Sequence, residues 1–317
     1  MRMKPWLFAF LMAVVLPGAI YRTAELLLSG KEQDVTLYTQ PETTVLARQV
    51  LVQTREGTVL PMELESYVLS VLRGEMPADF EPEALKAQAV AVRTYTLKNQ
   101  KHTAAQVCTD PACCQAYCTE EEYLAAGHTQ QENQKLEAAV LETADEVLIY
   151  DGRLIDATYF SCSGGRTEDA LAVWGADVPY LQAVDSPGEE NAAHYMDTVT
   201  FTAAEFQAKL NTELTGSPTG WIGSVTYTAG GGVDTVDIGG IPYTGTQVRQ
   251  LLGLLSTAFV MTAIGDTVTV TTKGYGHRVG MSQYGADAMA VAGNTYKEIL
   301  AHYYPGTELV DYGGFSN

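Results

Sequence analysis

The sequence predicts an α+β fold: a largely antiparallel sheet with packed helices, preceded by one N-terminal membrane-anchor helix. Three observations lead there. Strand-like runs follow one another through short turns, which argues against a doubly wound parallel sheet. Separate segments repeat their apolar residues at helical spacing. An uncharged stretch from Pro5 to Tyr21 follows Arg2 and Lys4.

That stretch would span about 25 Å as a helix, the short end of what a bilayer core needs. Positive charge before the span orients the N-terminus to the cytoplasm. A cleaved signal peptide is the competing reading, but Leu16-Pro17-Gly18-Ala19-Ile20 fits an A-x-A-like cleavage site poorly. Residues 1–30 are therefore expected to be an anchor or signal segment, and 31–317 an extracytoplasmic domain. The localisation expected is a single-pass membrane protein with its body outside the cytoplasm.

The body reads in order as follows. Residues 35–62 are strand-like, with Val50-Leu51-Val52 and Thr58-Val59-Leu60 flanking a turn. Glu63 to Leu72 is a helix that Gly74 and Pro77 should interrupt. A second helix opens at Pro82, a good first-turn residue, and runs to about Gln100. It is Ala-rich and apolar on most faces, so it should be central and buried. Residues 102–119 form a Cys-rich insertion. A helix is expected from Gln130 to Asp145, then a hairpin of 147–150 and 153–160 around Asp151-Gly152. Short helices are predicted at 201–210 and 247–255, with strands at 224–228, 233–238, 259–264 and 267–272. After a glycine-spaced loop at 275–280, two helices close the chain, near 282–292 and 296–304. Neither an internal repeat nor a linker is evident.

Across its 317 residues the chain has 38 Asp+Glu against 19 Lys+Arg, a net charge of -19. Such a body repels phosphate backbones, so nucleic-acid binding is excluded as a general function. Peripheral binding to anionic lipid is disfavoured as well.

Several residues are candidates for chemistry. Glu75 sits at a helix break among apolar neighbours, where desolvation would hold its proton and suit a general acid; an ordinary solvated acid at a helix end is the plainer alternative. Lys86 and Arg93 are seven apart, on one face of the second helix. Long cations there need partners, either structural carboxylates or a site containing Glu75. The loop around Gly274, Gly276 and Gly280 would present His277 at a groove floor, unless this is a plain loop histidine. His102, Cys108, Cys113 and Cys114 make a set of one nitrogen and three thiolates typical of structural zinc. Disulfides compete outside the cytoplasm, although five cysteines leave one unpaired and a bridge between adjacent Cys113 and Cys114 would be strained. A zinc hydrolase built on this cluster is disfavoured, because four protein ligands leave no open position.

The blocks Gly74–Glu81, Glu83–Tyr95, Ala157–Gly165, Pro179-Tyr180-Leu181, Gly276–Ala286 and His302–Thr307 together resemble the SpoIID/LytB family, in family order from about residue 45 to 310. The N-terminal anchor resembles that of its sporulation members. The resemblance implies a lytic transglycosylase that cleaves peptidoglycan glycan strands during engulfment in endospore formation, at the sporulation septum or engulfing membrane. It implies that Glu75 is the catalytic glutamate, with Lys86, Arg93, Tyr159, Ser163 and His277 binding or supporting substrate. Two departures stand out: Arg278 lies where the family usually has glycine, and Cys162 where a hydroxyl residue is usual. Clostridial members carry a zinc-binding insertion of this kind; here Cys113 replaces its second histidine, and Cys118 is a rival ligand.

Glycoside hydrolysis ordinarily uses two carboxylates. Only Glu75 is strongly motivated here, and a transglycosylase can work with one, because the muramic C6 hydroxyl replaces water. No cofactor is expected for catalysis itself. The implied partners are glycan strands, stripped of stem peptides by a partner amidase, and the membrane. If Glu75 is to keep its proton, Lys86 and Arg93 should point at substrate rather than pair with it. The rival function is a non-catalytic, wall-binding activator of an N-acetylmuramoyl-L-alanine amidase.

Overall fold

From Arg48 the chain lays down two antiparallel strands, β1 (Gln49–Gln53) and β2 (Val59–Glu63), in register from Val50 opposite Met62 to Gln53 opposite Val59. This is a computed structural model that describes residues 48–314. The expected N-terminal anchor lies outside the described residues. Among those described, no helix is long and apolar enough to cross a membrane.

Helix α1 (Leu64–Glu75) buries Leu64, Tyr67, Val68, Val71 and Leu72 along one face. It does not stop at Leu72 as its sequence suggests, but continues through Gly74 to Glu75. Glycine inside a helix costs about 1 kcal/mol relative to alanine. Here tertiary packing overrides that: a Cβ on Gly74 would lie 3.0 Å from the backbone of both Ala116 and Tyr117. The missing side chain lets the Cys-rich loop close on the end of α1.

Helix α2 (Pro82–Lys98) starts with proline in its first turn and is buried along most of its length. Its small residues Ala84, Ala87, Ala89 and Ala91 let neighbours approach closely, and it is the axis of the first core. Strand β3 (Val107–Cys108) then joins the free edge of β1, in parallel. Helices α3 (Glu120–Ala125) and α4 (Gln130–Glu142) follow, each opened by a Thr/Glu capping box. Strands β4 (Glu146–Tyr150) and β5 (Arg153–Leu154) make the expected hairpin, but shorter; the chain leaves it at Ile155 and forms β6 (Tyr159–Phe160) elsewhere. A short helix, α5 (Ala170–Trp174), ends on Gly175 in the left-handed conformation.

Residues 196–273 build a second core. Strand β7 (Met196–Thr202), helix α6 (Ala203–Leu210), strands β8 (Ile222–Tyr227), β9 (Val233–Ile238) and β10 (Ile241–Thr244), helix α7 (Gly245–Leu252), and strands β11 (Phe259–Ile264) and β12 (Thr267–Lys273) form two three-stranded antiparallel sheets, ordered β10-β9-β8 and β11-β12-β7. Phe206, Trp221, Val236, Ile238, Val248 and Val270 fill the space between sheets and helices. The chain then returns to the first core through β13 (Met281–Ser282), which pairs in parallel with β6, then α8 (Gln283–Val291), α9 (Tyr296–Tyr303) and β14 (Glu308–Asp311), which pairs with β4. The sheets are thus largely antiparallel, with two short parallel pairings. Helices α1, α4, α8 and α9 and strand β4 all pack on α2.

One buried ion pair ties the second core to the loop that leads back. The Nη1 of Arg278 donates to Glu168 Oε1 at 3.1 Å, its Nε to the Ser163 carbonyl at 2.7 Å, and its Nη2 to the Gly230 carbonyl at 2.9 Å. Glu168 also accepts from Thr228 Oγ1 and from the N–H of Gly232, at 2.8 Å each. Both side chains are buried. Arg278 has φ +66, in the left-handed region that glycine enters without strain. Its Nη2 also donates to the Arg166 carbonyl at 2.7 Å, so its donors are spent on four groups, which explains how an arginine is held there. We expect Arg278→Met to leave the Glu168 carboxylate buried and unpaired, at a loss of about 3–5 kcal/mol in urea denaturation. The double variant Arg278→Met, Glu168→Gln should recover part of that loss.

Candidate active site

Glu75 is the last residue of α1, and two other parts of the chain fix its carboxylate. The N–H of Ala116, from the Cys-rich loop, donates to Oε1 at 2.7 Å; Nε2 of Gln283, first residue of α8, donates to Oε2 at 3.3 Å. The Tyr159 hydroxyl lies beside the same carboxyl. Each donor favours the charged form, yet removal from water dominates and holds the group above the usual carboxylate value of 4.5. The amide of Gln283 suits both protonation states, since it can donate through its NH2 or, flipped, accept from the acid through its carbonyl.

The carboxyl opens into a cleft of about 580 Å³. Its lining joins Glu75, Tyr159 and Gln283 to Lys101, Trp174 and His277. Glu75 is the single carboxylate in that lining and Lys101 the single lysine or arginine.

Tyr159 reaches the site from β6. Its hydroxyl donates to Gln115 Oε1 at 2.9 Å, and the Gln115 amide nitrogen donates to Tyr67 at 3.3 Å and Thr96 at 3.2 Å. Gln115 is buried, so these bonds set its orientation and that of the phenol. Burial, with the Glu75 charge second, pushes the Tyr159 hydroxyl well above its ordinary value, so it stays a neutral donor.

His277 is also fixed and neutral. Its Nδ1 accepts the Val279 N–H at 3.1 Å, it has a hydrogen bond to the Tyr159 backbone, and Phe160 and Trp174 pack against its ring, with centroids 5.6 and 5.2 Å away. Desolvation, with the Arg249 charge second, pulls it down to about 4. The ring is therefore neutral near pH 7 and packs against Trp174.

The sequence singled out neither Trp174 nor Tyr275, yet both are exposed large aromatics on this lining. Flat, half-exposed rings suit the C–H faces of sugars. Nothing in the periodicity of the short helix α5 marks Trp174 as a cleft residue. The peptide groups that matter, above all Ala116 N–H, carry no side-chain signature at all.

Three of the expected binding residues, Lys86, Arg93 and Ser163, are engaged with carboxylates of the chain itself and are absent from the cleft lining. Lys86 donates to Glu83 at 2.8 Å and pairs with Glu142 at 2.7 Å. Arg93, fully buried, makes a two-pronged pair with Glu65 at 2.8 and 2.5 Å, and its remaining nitrogen donates to the Glu146 carbonyl. These are the structural carboxylates that long cations on a buried helix require, and neither cation pairs with Glu75. Ser163, also fully buried, donates through N and Oγ to Glu189 at 2.7 and 2.9 Å. Cys162 donates to the same carboxylate at 3.1 Å, as a hydroxyl would, and burial with the Glu189 charge pushes its thiol up to about 12.

His102, Cys108, Cys113 and Cys114 come together, with their ligand atoms all within 4.8 Å of one another. All five cysteines are free. The His102 Nε2 is 3.3 Å from Cys114 Sγ and 3.6 Å from Cys113 Sγ, and the two sulfurs are 3.9 Å apart. Tetrahedral zinc with Zn–S of about 2.3 Å and Zn–N of about 2.0 Å sets such edges at roughly 3.5–3.8 Å, so the donor set fits that ion. Cys118 instead faces the Thr119 carbonyl and stands outside the group. The cluster shares its loop with Gln115 and Ala116, so whatever it binds also braces the Glu75 carboxylate.

The chain is similar to several known proteins. The family model described as Stage II sporulation protein matches residues 52–150, which carry Glu75, α2 and the Cys-rich loop. Stage II sporulation protein D of Bacillus subtilis (strain 168) is 41% identical over 274 residues, covering 84% of this chain and 79% of that protein. Its namesake in Bacillus amyloliquefaciens is 37% identical over 308 residues, 94% of this chain and 87% of its own length. A protein named Amidase enhancer, from Bacillus subtilis (strain 168), is 31% identical over 300 residues, but these are only 40% of its length. With most of two stage II sporulation D proteins spanned at such identity, this chain belongs to the SpoIID family.

Proposed function

We propose that the chain is a lytic transglycosylase that cuts the bond between N-acetylmuramic acid and N-acetylglucosamine in sporulation peptidoglycan and leaves 1,6-anhydro-muramic ends. The observation that carries this reading is a lone, desolvated carboxyl in a cleft with aromatic walls. Protonated Glu75 donates to the glycosidic oxygen as the C1–O bond breaks. The sugar becomes oxocarbenium-like. Glu75, now a carboxylate held by Ala116 and Gln283, takes the proton of the C6 hydroxyl, and that oxygen closes on C1. The acid is regenerated. Water takes no part, so the second carboxylate of an ordinary glycosidase has no task. In this reading Trp174 and Tyr275 stack the sugars and Tyr159 steadies the carboxyl. The domain works outside the cytoplasm, tethered by the N-terminal run, on strands that an amidase partner has stripped.

His102, Cys108, Cys113 and Cys114 would hold a structural zinc. The ion supplies no step of the reaction; it fixes the loop that presents Ala116 N–H and Gln115. The relative named Amidase enhancer favours a second reading, in which the chain binds wall and activates an amidase without chemistry of its own.

Glu75→Gln separates the two readings. Loss of general acid catalysis should lower glycan cleavage at least about 100-fold, measured by mass spectrometry of anhydro ends. Unchanged cleavage would refute the catalytic assignment. The same variant should melt at a higher temperature than the parent near pH 7. The folded-state pKa of Glu75 is raised, so its ionisation destabilises the fold progressively as pH climbs from 4.5 through that higher value. Below 4.5 both states are protonated and the gap should close.

Gln283→Leu removes a donor to the carboxylate, which raises the pKa of Glu75 further. The basic limb of kcat/KM against pH should move to higher pH. A shift the other way would contradict the arrangement. Chelation should lower both Tm and activity, and zinc should restore both; activity lost at unchanged Tm would assign the ion to the chemistry instead.

A further inference from the structure

Lys101 stands out among the cations of this acidic chain. Its Nζ donates to the Tyr95 hydroxyl at 2.9 Å and to the Cys113 carbonyl at 3.1 Å, and no carboxylate among the described residues is within ion-pair distance. Acids outnumber bases two to one here, and Lys86, Arg93 and Arg278 each have an acid partner. Lys101 is exposed and lines the same cleft as Glu75. An ammonium has three N–H donors. Two neutral acceptors occupy two of them and aim the group, which leaves one N–H and the whole charge for something that enters the cleft.

We propose that Lys101 is a specificity residue that binds the free lactyl carboxylate of muramic acid. This rests on the reading of the cleft as a muramic-glycan site, and deepens it. Along a glycan strand, every second sugar carries a lactyl ether. While the stem peptide is attached, the lactyl carboxyl is a neutral amide; once the stem is removed, it is an anion. A single cation in a cleft with one carboxylate therefore tells stripped strands from substituted ones by charge. The competing role for Lys101 is to balance the net negative charge of three thiolates around a dication, since it touches Cys113 through the backbone.

The test uses the full-length chain in detergent with Glu75→Gln, so that bound glycan persists, and three probes: a peptide-free GlcNAc–MurNAc tetrasaccharide, the same sugar with its lactyl groups converted to methylamides, and chitotetraose. Calorimetric titration should give tighter binding of the free acid than of the amide, by about fivefold at low salt and less at high salt. Adding Lys101→Gln should erase that ratio and leave chitotetraose binding and zinc content, read by elemental mass spectrometry, unchanged. Lys101→Arg should keep most of it. An unchanged ratio in Lys101→Gln overturns the proposal, as does loss of zinc with equal weakening of all three sugars, which would assign Lys101 to the metal cluster. Cleavage by the parent chain is read in parallel. Carboxylate selectivity without cleavage would sink the transglycosylase reading and leave the Lys101 proposal standing; cleavage without selectivity would do the reverse.

Discussion

A single peptide N–H organises this site. The bond from Ala116 to Glu75 joins the end of a helix to a loop more than forty residues away, and it exists because Gly74 has no side chain to keep the two apart. One donor at 2.7 Å is enough to fix the carboxyl without fully stabilising its charge, so burial still prevails and the proton stays on more firmly than on a solvated glutamate. A second strong donor, or a cation in direct contact, would favour the carboxylate and work against the acid role proposed for Glu75. The Arg93 guanidinium is spent on Glu65 instead.

Around that carboxyl the site is nearly free of charge, although the protein carries -19 overall. Tyr159 and His277 are both kept neutral by burial, the first as a donor and the second as a braced ring behind Trp174. A low-dielectric lining of this kind makes each remaining charge count for more. The acid role proposed for Glu75 and the binding role proposed for Lys101 both draw on that setting.

The supports beneath the site are two satisfied buried carboxylates. Glu168 with Arg278 locks the 274–280 loop to the second core, while Glu189 collects the backbone and side chain of Ser163 together with the Cys162 thiol. A Cβ on Gly285 would fall 2.5 Å from Glu189, so α8 sits directly on this second hub, and Gln283 at its start is thereby set against Glu75. Arg278 and Cys162, which the resemblance singled out, lie in these hubs. The arginine compensates a left-handed backbone with its donors; the thiol adds a weak donor to Glu189.

How far the sequence reaches is clear from particular residues. The Ala-rich helix after Pro82, the hairpin around Asp151-Gly152 and the capped, amphipathic helices at the C-terminus were legible because their signals are local: period, proline, turn residues. Helix α3 was not foreseen, although Thr119 and Glu122 form its capping box, because six residues beside a run of cysteines carry too little periodicity. The metal ligands could be read as a set, since His102 and the cysteines are close along the chain. What Lys86, Arg93 and Ser163 do could not be read, because a cation or a hydroxyl looks the same whether its partner is a sugar or a buried carboxylate. Composition and local pattern determined the α+β class, the acidic body and the His/Cys cluster, and the family resemblance picked out Glu75. Only the tertiary structure decided that Glu75 keeps a single strong donor, that Trp174 and Lys101 share its cleft, and that Lys86 and Arg93 pair with carboxylates of the chain, since desolvation and pairing depend on residues brought together from far along the chain.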